Sequence, residues 1–208
     1  MEFWTPSEFS QFLDYLKDEN SDEDCFELIF YTLFFTGMRI GELLALTWND
    51  IDFSRREIIV NKSSSQIKGK IVISTPKTKS SIRRISIHSK LASMLKDWKQ
   101  QQKNLFENQF ALPHDKTTQV FQFKLNETTR FHVRKKMDTI YKHHPDLKKI
   151  RIHDFRHSHV ALLIDNREEL VTIKDRMGHS SITTTIDVYG HLFPNRQQEM
   201  ADRLDDII

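Results

Sequence analysis

Arginine and histidine side chains recur at helical spacing in the segment His153-Asp154-Phe155-Arg156-His157. On a helix, His153, Arg156 and His157 lie on one face, because positions i, i+3 and i+4 are neighbours around the axis. A guanidinium binds phosphate oxygens through two parallel hydrogen bonds, and an imidazole donates a hydrogen bond or moves a proton near neutral pH. The cluster is therefore typical of a site that binds an anion.

A zinc site is the alternative interpretation of this cluster. His153 and His157 have the i, i+4 spacing of the two ligands in the H-E-x-x-H motif. However, Asp154 stands where that motif has glutamate, and Arg156 would place a fixed positive charge beside the metal. No third ligand follows at a familiar spacing, so a metalloprotease is disfavoured.

A second arginine lies in Thr36-Gly37-Met38-Arg39-Ile40-Gly41-Glu42-Leu43. Gly37 permits a sharp turn. Glu42 follows Arg39 by three residues, which places both side chains on one face of the next helix. Taken alone, this segment is better explained by a surface ion pair than by a binding site.

A third group is Met177-Gly178-His179-Ser180-Ser181, which is followed by Tyr189. The pKa of tyrosine is about 10, so its use as a nucleophile requires a site that stabilises the phenolate or removes the proton. A phosphate site with two arginines would supply such a field. Taken alone, Tyr189 is better explained as a packed aromatic residue and His179 as a hydrogen-bonded polar residue.

The charge is distributed unevenly along the 208 residues, whose net charge is only +2. Residues 1–50 carry −9, residues 51–160 carry +15, and residues 161–208 carry −4. A basic segment attracts a polyanion because the local field, rather than the net charge, steers the ligand. On charge alone, nucleic-acid binding and a solvated lysine-rich surface explain the segment equally well.

Composition excludes several classes of protein. The single cysteine, Cys25, excludes a disulfide framework and a cysteine-rich zinc module. No apolar run reaches the roughly 20 residues of a membrane span, and residues 1–4 do not begin a signal peptide. With 38% hydrophobic and 29% charged residues, the chain is typical of a soluble globular protein, and we expect a cytoplasmic location.

Hydrophobic periodicity predicts helices on both sides of a β-rich centre. Three β-branched runs, at 57–60, 70–73 and 83–87, predict a small antiparallel sheet. The fold class is therefore α+β, mostly α, in one domain. Helices are predicted at about 6–20, 25–36, 39–46, 89–106, 127–143, 153–166, 168–177, 181–190 and from about 195.

Together, these segments resemble the catalytic domain of the tyrosine recombinases, the phage integrase family. Segment 36–46 is similar to the first sequence box of the family, and the segments from 153 to 189 are similar to the second. The resemblance extends over nearly the whole chain and is strongest to integrases of phages and conjugative transposons of Gram-positive bacteria. It is carried, in chain order, by Arg39, His153-Asp154-Phe155-Arg156, Gly178-His179 and Tyr189.

The resemblance implies that residues 1–208 form a tyrosine recombinase catalytic domain. The core-binding and arm-binding domains that precede it in the family are expected to be absent from this chain. The implied activity is site-specific recombination, the integration and excision of a mobile element. It proceeds by DNA cleavage and rejoining through a 3′-phosphotyrosyl intermediate.

The family motif also implies a role for each matching residue. Tyr189 is the nucleophile, and Arg39 and Arg156 neutralise the phosphate oxygens. His153 assists proton transfer, and His179 donates a hydrogen bond to the phosphate. Positioning roles are expected for Glu42, which would orient Arg39, and for His157.

The family uses a lysine on a β-hairpin between the two boxes as the general acid. Residues 75–84 match that segment, and Lys77 is the assigned lysine. Lys79 remains an alternative, because the sequence does not fix the register of a turn. Lys79, Arg83 and Arg84 are expected to contact DNA phosphates from an exposed basic hairpin.

The implied partner is double-stranded DNA at a recombination site, with no membrane involved. No cofactor or metal is expected, because the covalent intermediate keeps the energy of the phosphodiester bond. We expect a monomer for the isolated chain and a homotetramer on DNA for the full-length protein, encoded by a bacterium or a phage. The alternatives are a type IB topoisomerase and a non-catalytic DNA-binding protein on the same scaffold.

Overall fold

The structure is a computed structural model that describes residues 2–18, 25–75, 82–179, 181 and 183. The predicted α+β class, mostly α, is confirmed. The helices predicted at 181–190 and from 195 lie outside the described residues, apart from positions 181 and 183. The α-helices are α1 (Pro6–Asp18), α2 (Cys25–Thr36), α3 (Ile40–Leu44), α4 (Ser89–Asn104), α5 (Arg130–His143), α6 (Asp154–Asp165) and α7 (Leu170–Met177). A 3-10 helix spans Trp48–Asp50, and α4 continues as a π-helix over Leu105–Phe110.

The strands of the described residues form two antiparallel sheets rather than one. The strands are β1 (Ile51–Asp52), β2 (Glu57–Val60), β3 (Ser63–Ile67), β4 (Lys70–Ser74) and β5 (Arg83–Ser86). The first sheet has the order β1-β2-β5, and β3 and β4 form a separate hairpin. All three predicted runs are strands, but β1 and β3 were not predicted. β1 has only two residues, and the sequence of β3, Ser-Ser-Ser-Gln-Ile, lacks the apolar alternation of a half-buried strand.

Helix α2 lies at the centre of the hydrophobic core. Most of its side chains are buried, so it carries no polar face. The ring of Phe34 stacks on Phe9 with centroids 4.0 Å apart, and Phe30 stacks on Phe155 of α6 at 5.6 Å. Each fully buried aromatic side chain contributes about 1.5–3 kcal/mol by its removal from water. The core therefore fixes α6 firmly against α2.

A tight turn at Gly37 joins α2 to α3. Gly37 has φ +63°, and a Cβ added there would lie 2.5 Å from Met177 Cε and 2.7 Å from His159 Cδ2. Glycine thus allows both the left-handed backbone and the close approach of α6 and α7. The turn brings the start of α3 to the place where these two helices meet.

Among the described residues, no helix combines the length and the apolar character needed to cross a bilayer.

Candidate active site

Arg39 lies at the start of α3 and is held by Glu42. Its Nη1 donates to Glu42 Oε1 at 2.9 Å, and its backbone N–H donates to Glu42 Oε2 at 2.9 Å. The Arg39 side chain is 43% exposed, whereas that of Glu42 is 6% exposed. A buried carboxylate therefore anchors a guanidinium whose other side faces solvent.

Arg83 also binds Glu42. It was expected on an exposed hairpin, but the structure shows that it is buried. Its Nη1 and Nη2 donate to Glu42 Oε1 and Oε2 at 3.1 and 2.9 Å, and its side chain is only 5% exposed. The reason is strand alternation: Arg83 and Ile85 of β5 point inward, and Arg84 points outward. The charge of Arg83 is thus paired with a buried carboxylate, and its expected contact with DNA stays a prediction.

Glu42 is ionised in this arrangement. Burial raises the pKa of the Glu42 carboxyl, but the hydrogen bonds and charges of Arg83 and Arg39 outweigh that effect and lower the pKa overall. Arg84, by contrast, is 55% exposed and pairs with Glu57 at 3.2 Å. Its expected contact with DNA stays a prediction.

Arg156 of α6 contacts both the turn at Gly37 and the last residue of α7. Its Nη1 donates to the carbonyl of Gly37 at 2.8 Å, and its Nη2 donates to the carbonyl of Met177 at 2.5 Å. Gly37 lies 119 positions away in the sequence and Met177 lies 21 positions away. One buried guanidinium therefore joins the turn before Arg39 to the end of α7.

The histidines His153 and His157 begin α6 and face each other edge to face, with ring centroids 5.3 Å apart. His153 is exposed, and His157 is half-buried, 3.9 Å from Asp154 Oδ1. Partial desolvation, followed by the charge of Arg156, lowers the pKa of His153, and Arg39 lowers it further. Desolvation also lowers the pKa of His157, and so does the neighbouring His153, because the two rings would repel each other if both were protonated. Both rings are therefore neutral at pH 7 and able to accept a proton.

His179 follows the end of α7, after Gly178 in the left-handed conformation at φ +66°. Desolvation by burial, followed by the charges of Arg156, Arg39 and Arg83, lowers the pKa of His179 to about 4. A neutral imidazole at pH 7 can donate one hydrogen bond to an anion without adding charge. Arg39 and Arg156 act on His153 and His179 alike, so these side chains share one positive field.

This positive field is built from segments that match a known family. Residues 2–196 match the phage integrase family. The chain belongs to that family. Over all 208 residues it is 48% identical to the ICEBs1 integrase of Bacillus subtilis (strain 168), and it spans 55% of the length of that relative.

Two solved structures of phage and transposon integrases share the fold. One is the Tn1549 transposon integrase in complex with transposon right end DNA, with a TM-score of 0.80 at 24% identity over 98% of this chain and 66% of that one. The other is the catalytic domain of bacteriophage HP1 integrase, with a TM-score of 0.63 at 17% identity. That match covers 97% of this chain and 94% of the HP1 domain.

Three of the expected site residues of this phage integrase family member lie outside the described residues: Lys77, Lys79 and Tyr189. Their roles remain predictions. Within the described part of the chain, no group of three or more His, Cys, Asp or Glu side chains is arranged to hold a metal ion.

Arg176 of α7 also supports the site, a role that was not predicted from the sequence. Its Nε donates to His159 Nε2 at 2.9 Å, while Nη1 and Nη2 donate to the carbonyls of Ser86 and Phe35, each at 3.0 Å. An arginine in the last turn of a helix is usually a surface cation that complements the helix dipole. No signal in the sequence distinguishes Arg176 from that common case.

His159 is a structural residue of the same network. Its Nδ1 donates to the carbonyl of Phe34 at 2.8 Å, which leaves Nε2 as the acceptor for Arg176. Burial and the charge of Arg176 lower the pKa of His159 to about 3. The neutral ring therefore fixes α6 to the end of α2 and to α7.

An open groove of about 800 Å³ lies beside His153. Three arginines line it, Arg130 and Arg134 from the start of α5 and Arg151 from the segment before α6. Gln66, near the tip of the β3–β4 hairpin, and Phe131, which is 66% exposed, complete much of the wall. Asp138, 3.6 Å from Arg134, is the acidic residue of the lining, so the groove is basic overall.

Proposed function

We propose that this chain is the catalytic domain of a tyrosine recombinase that integrates and excises a mobile element by site-specific DNA recombination. One observation supports this most directly: the charges of Arg39 and Arg156 both act on His153 and on His179, so two arginines and two neutral histidines share one site. The names of its relatives agree, since they include an ICEBs1 integrase and a transposon integrase in complex with DNA. Double-stranded DNA is the proposed partner.

In the proposed reaction, the Tyr189 hydroxyl attacks the phosphorus of a DNA phosphodiester. The bond from phosphorus to the 5′-oxygen breaks as the 3′-phosphotyrosyl bond forms. Lys77 gives its proton to the leaving 5′-oxygen, and His153 accepts the proton of the tyrosine. A 5′-hydroxyl from another strand then reverses these steps and joins the exchanged strands.

Arg39 and Arg156 stabilise the pentacoordinate phosphorus by neutralising its non-bridging oxygens. Such preorganised charges supply much of the rate enhancement in phosphoryl transfer. His179 donates a hydrogen bond to one of these oxygens. The lowered pKa of His153 keeps its ring neutral and ready to accept a proton.

The decisive experiment uses a DNA substrate nicked near the scissile phosphate, which traps the covalent adduct. The unmutated chain is expected to form an adduct that withstands denaturation, also in the presence of EDTA. Tyr189→Phe should abolish the adduct and leave DNA binding unchanged, because only the attacking oxygen is lost. An undiminished adduct in Tyr189→Phe would exclude this residue as the nucleophile.

The same material distinguishes the two alternatives. Relaxation of supercoiled DNA without a recombinant product would indicate a type IB topoisomerase. Specific binding without any adduct would indicate a non-catalytic DNA-binding protein.

We expect the chain alone to be a monomer in solution, and light scattering after gel filtration measures this directly. Full-length protein on a recombination site is expected to form a homotetramer.

A further inference from the structure

Arg83 is buried where three elements of the site meet. It begins β5, and its fork binds both oxygens of Glu42 in α3. Its Nε also donates to the carbonyl of Arg176 in α7 at 2.8 Å. That carbonyl lies three residues before His179. Arg83 therefore contacts both Glu42, which holds Arg39, and the end of α7, which leads to His179.

We propose that Arg83 is a positioning residue that keeps the guanidinium of Arg39 available to the scissile phosphate. The inference rests on the proposed function, because it concerns the orientation of Arg39 in the cleavage reaction. It replaces the expectation of a direct contact between Arg83 and DNA.

The hydrogen bonds to the carboxylate of Glu42 support this role. Each oxygen of Glu42 accepts one bond from Arg39 and one from Arg83: Oε1 accepts from both Nη1 atoms, and Oε2 accepts from Arg39 N–H and Arg83 Nη2. A bidentate guanidinium fixes the plane of a carboxylate. Without Arg83, only the two bonds from Arg39 hold the carboxylate of Glu42, which can then turn toward Arg39 and draw its guanidinium inward.

The charges of Arg39, Glu42 and Arg83 also support this role. One carboxylate between two guanidinium groups leaves a net charge of +1 on the three side chains. Removing Arg83 leaves Arg39 and Glu42 as a neutral pair, which stabilises the charge of the pentacoordinate transition state less than the present arrangement does. Because the Glu42 side chain is 6% exposed, water screens this change only weakly.

The test measures the rate of adduct formation at saturating DNA and the Kd for DNA separately. Arg83→Lys keeps the buried charge but cannot form the fork, and Arg83→Gln removes the charge. We expect the cleavage rate to fall by about tenfold or more in both variants, while the Kd changes by less than about threefold. The matched control is Arg55→Gln, which removes a 70% exposed arginine from the β1–β2 turn.

The same substitutions in an Arg39→Ala background isolate the mechanism. If Arg83 acts through Arg39, Arg83→Lys should change the already low rate by less than about twofold there. Thermal unfolding of every variant shows whether a slower cleavage rate results from a smaller fraction of folded protein. The Arg83→Lys variant provides the measurement if Arg83→Gln fails to fold.

Three outcomes would overturn the inference. One is an unchanged rate with a weaker Kd, and another is an equal fall in rate in the two backgrounds. In the third, the fall in rate merely matches the fraction of unfolded protein. In each case the unmutated chain still forms its adduct, so the proposed function stands. Absence of the adduct in the unmutated chain would overturn the proposed function and this inference with it.

Discussion

Arg39 and Arg156 carry the same charge but differ in their surroundings. Arg39 is 43% exposed and held by one carboxylate. Arg156 is 3% exposed and bonded to the carbonyls of Gly37 and Met177. The family resemblance implies a phosphate contact for both, but only the structure shows that Arg156 also holds the fold together.

This difference predicts distinct effects of two alanine substitutions. Arg39→Ala should slow adduct formation by about a hundredfold or more, since losing one such donor costs about 3–4 kcal/mol of barrier. Its effect on the free energy of unfolding should stay below about 1 kcal/mol, as for other partly exposed ion pairs. Arg156→Ala should slow the reaction similarly and also lower the unfolding free energy by about 2–5 kcal/mol. Urea titrations give the second quantity, and equal stability of the two variants would contradict the prediction.

His159 predicts a dependence of stability on pH. Its pKa falls from 6.5 in the unfolded chain to about 3 in the folded protein, so between these values the unfolded state binds more protons. The contribution of neutral His159 is complete above pH 6.5 and is lost as the pH falls toward 3, by about 1.4 kcal/mol per unit. Urea unfolding at pH 7 and pH 5 should show this loss, and His159→Gln should reduce it. An unchanged slope in that variant would contradict the assignment.

At the scale of elements, local patterns predicted the helices and strands well. The helices at 25–36, 89–106, 153–166 and 168–177 lie within a few residues of their predicted ends. The pattern gave no indication that β3 and β4 form a separate hairpin, because strand pairing depends on contacts with α3. Gly41 makes that contact: a Cβ there would lie 2.6 Å from the Ser64 carbonyl oxygen and 2.7 Å from Ser63 Oγ.

Gly41→Ala should therefore displace the β3–β4 hairpin from α3. The obstacle is partly backbone, which moves only with the strand, so we expect a loss of about 1–3 kcal/mol in stability. The rate of adduct formation should also fall, because β4 leads directly to the segment that contains Lys77. Gly69→Asn is the control: no atom lies within 4 Å of a Cβ at Gly69, and asparagine tolerates its φ of +81°. Equal effects of the two substitutions would refute a role for the contact with α3.

At the scale of the whole molecule, the charge distribution is more informative than the net charge of +2. The segment from 51 to 160 supplies the arginines of the groove beside His153. It also supplies Arg83, which is buried and paired with Glu42. A count of basic residues therefore overstates the surface that a polyanion can reach.

The groove predicts the salt dependence of DNA binding. Replacing Arg130 and Arg134 with glutamine should weaken binding to all sequences and reduce the slope of log K against log salt by about 2, if each contacts one phosphate. Fluorescence anisotropy between about 50 and 200 mM salt measures this slope. Lys17→Gln, a change on α1 in the acidic N-terminal segment, should leave it unaltered. A slope unchanged by the Arg130 and Arg134 substitutions would place the DNA elsewhere.

The sequence by itself determined the family, the α-helices of the described residues and the candidates Arg39, His153, Arg156 and His179. These conclusions depend on residue type, on the order of the motifs along the chain and on local periodicity. All three can be read directly from the sequence. Only the tertiary structure decided that Arg83 binds Glu42 and that Arg156 binds the carbonyls of Gly37 and Met177. A buried charge must pair with whatever opposite group the packing brings within reach. That choice depends on how α2, α6 and α7 meet, and no local pattern encodes it.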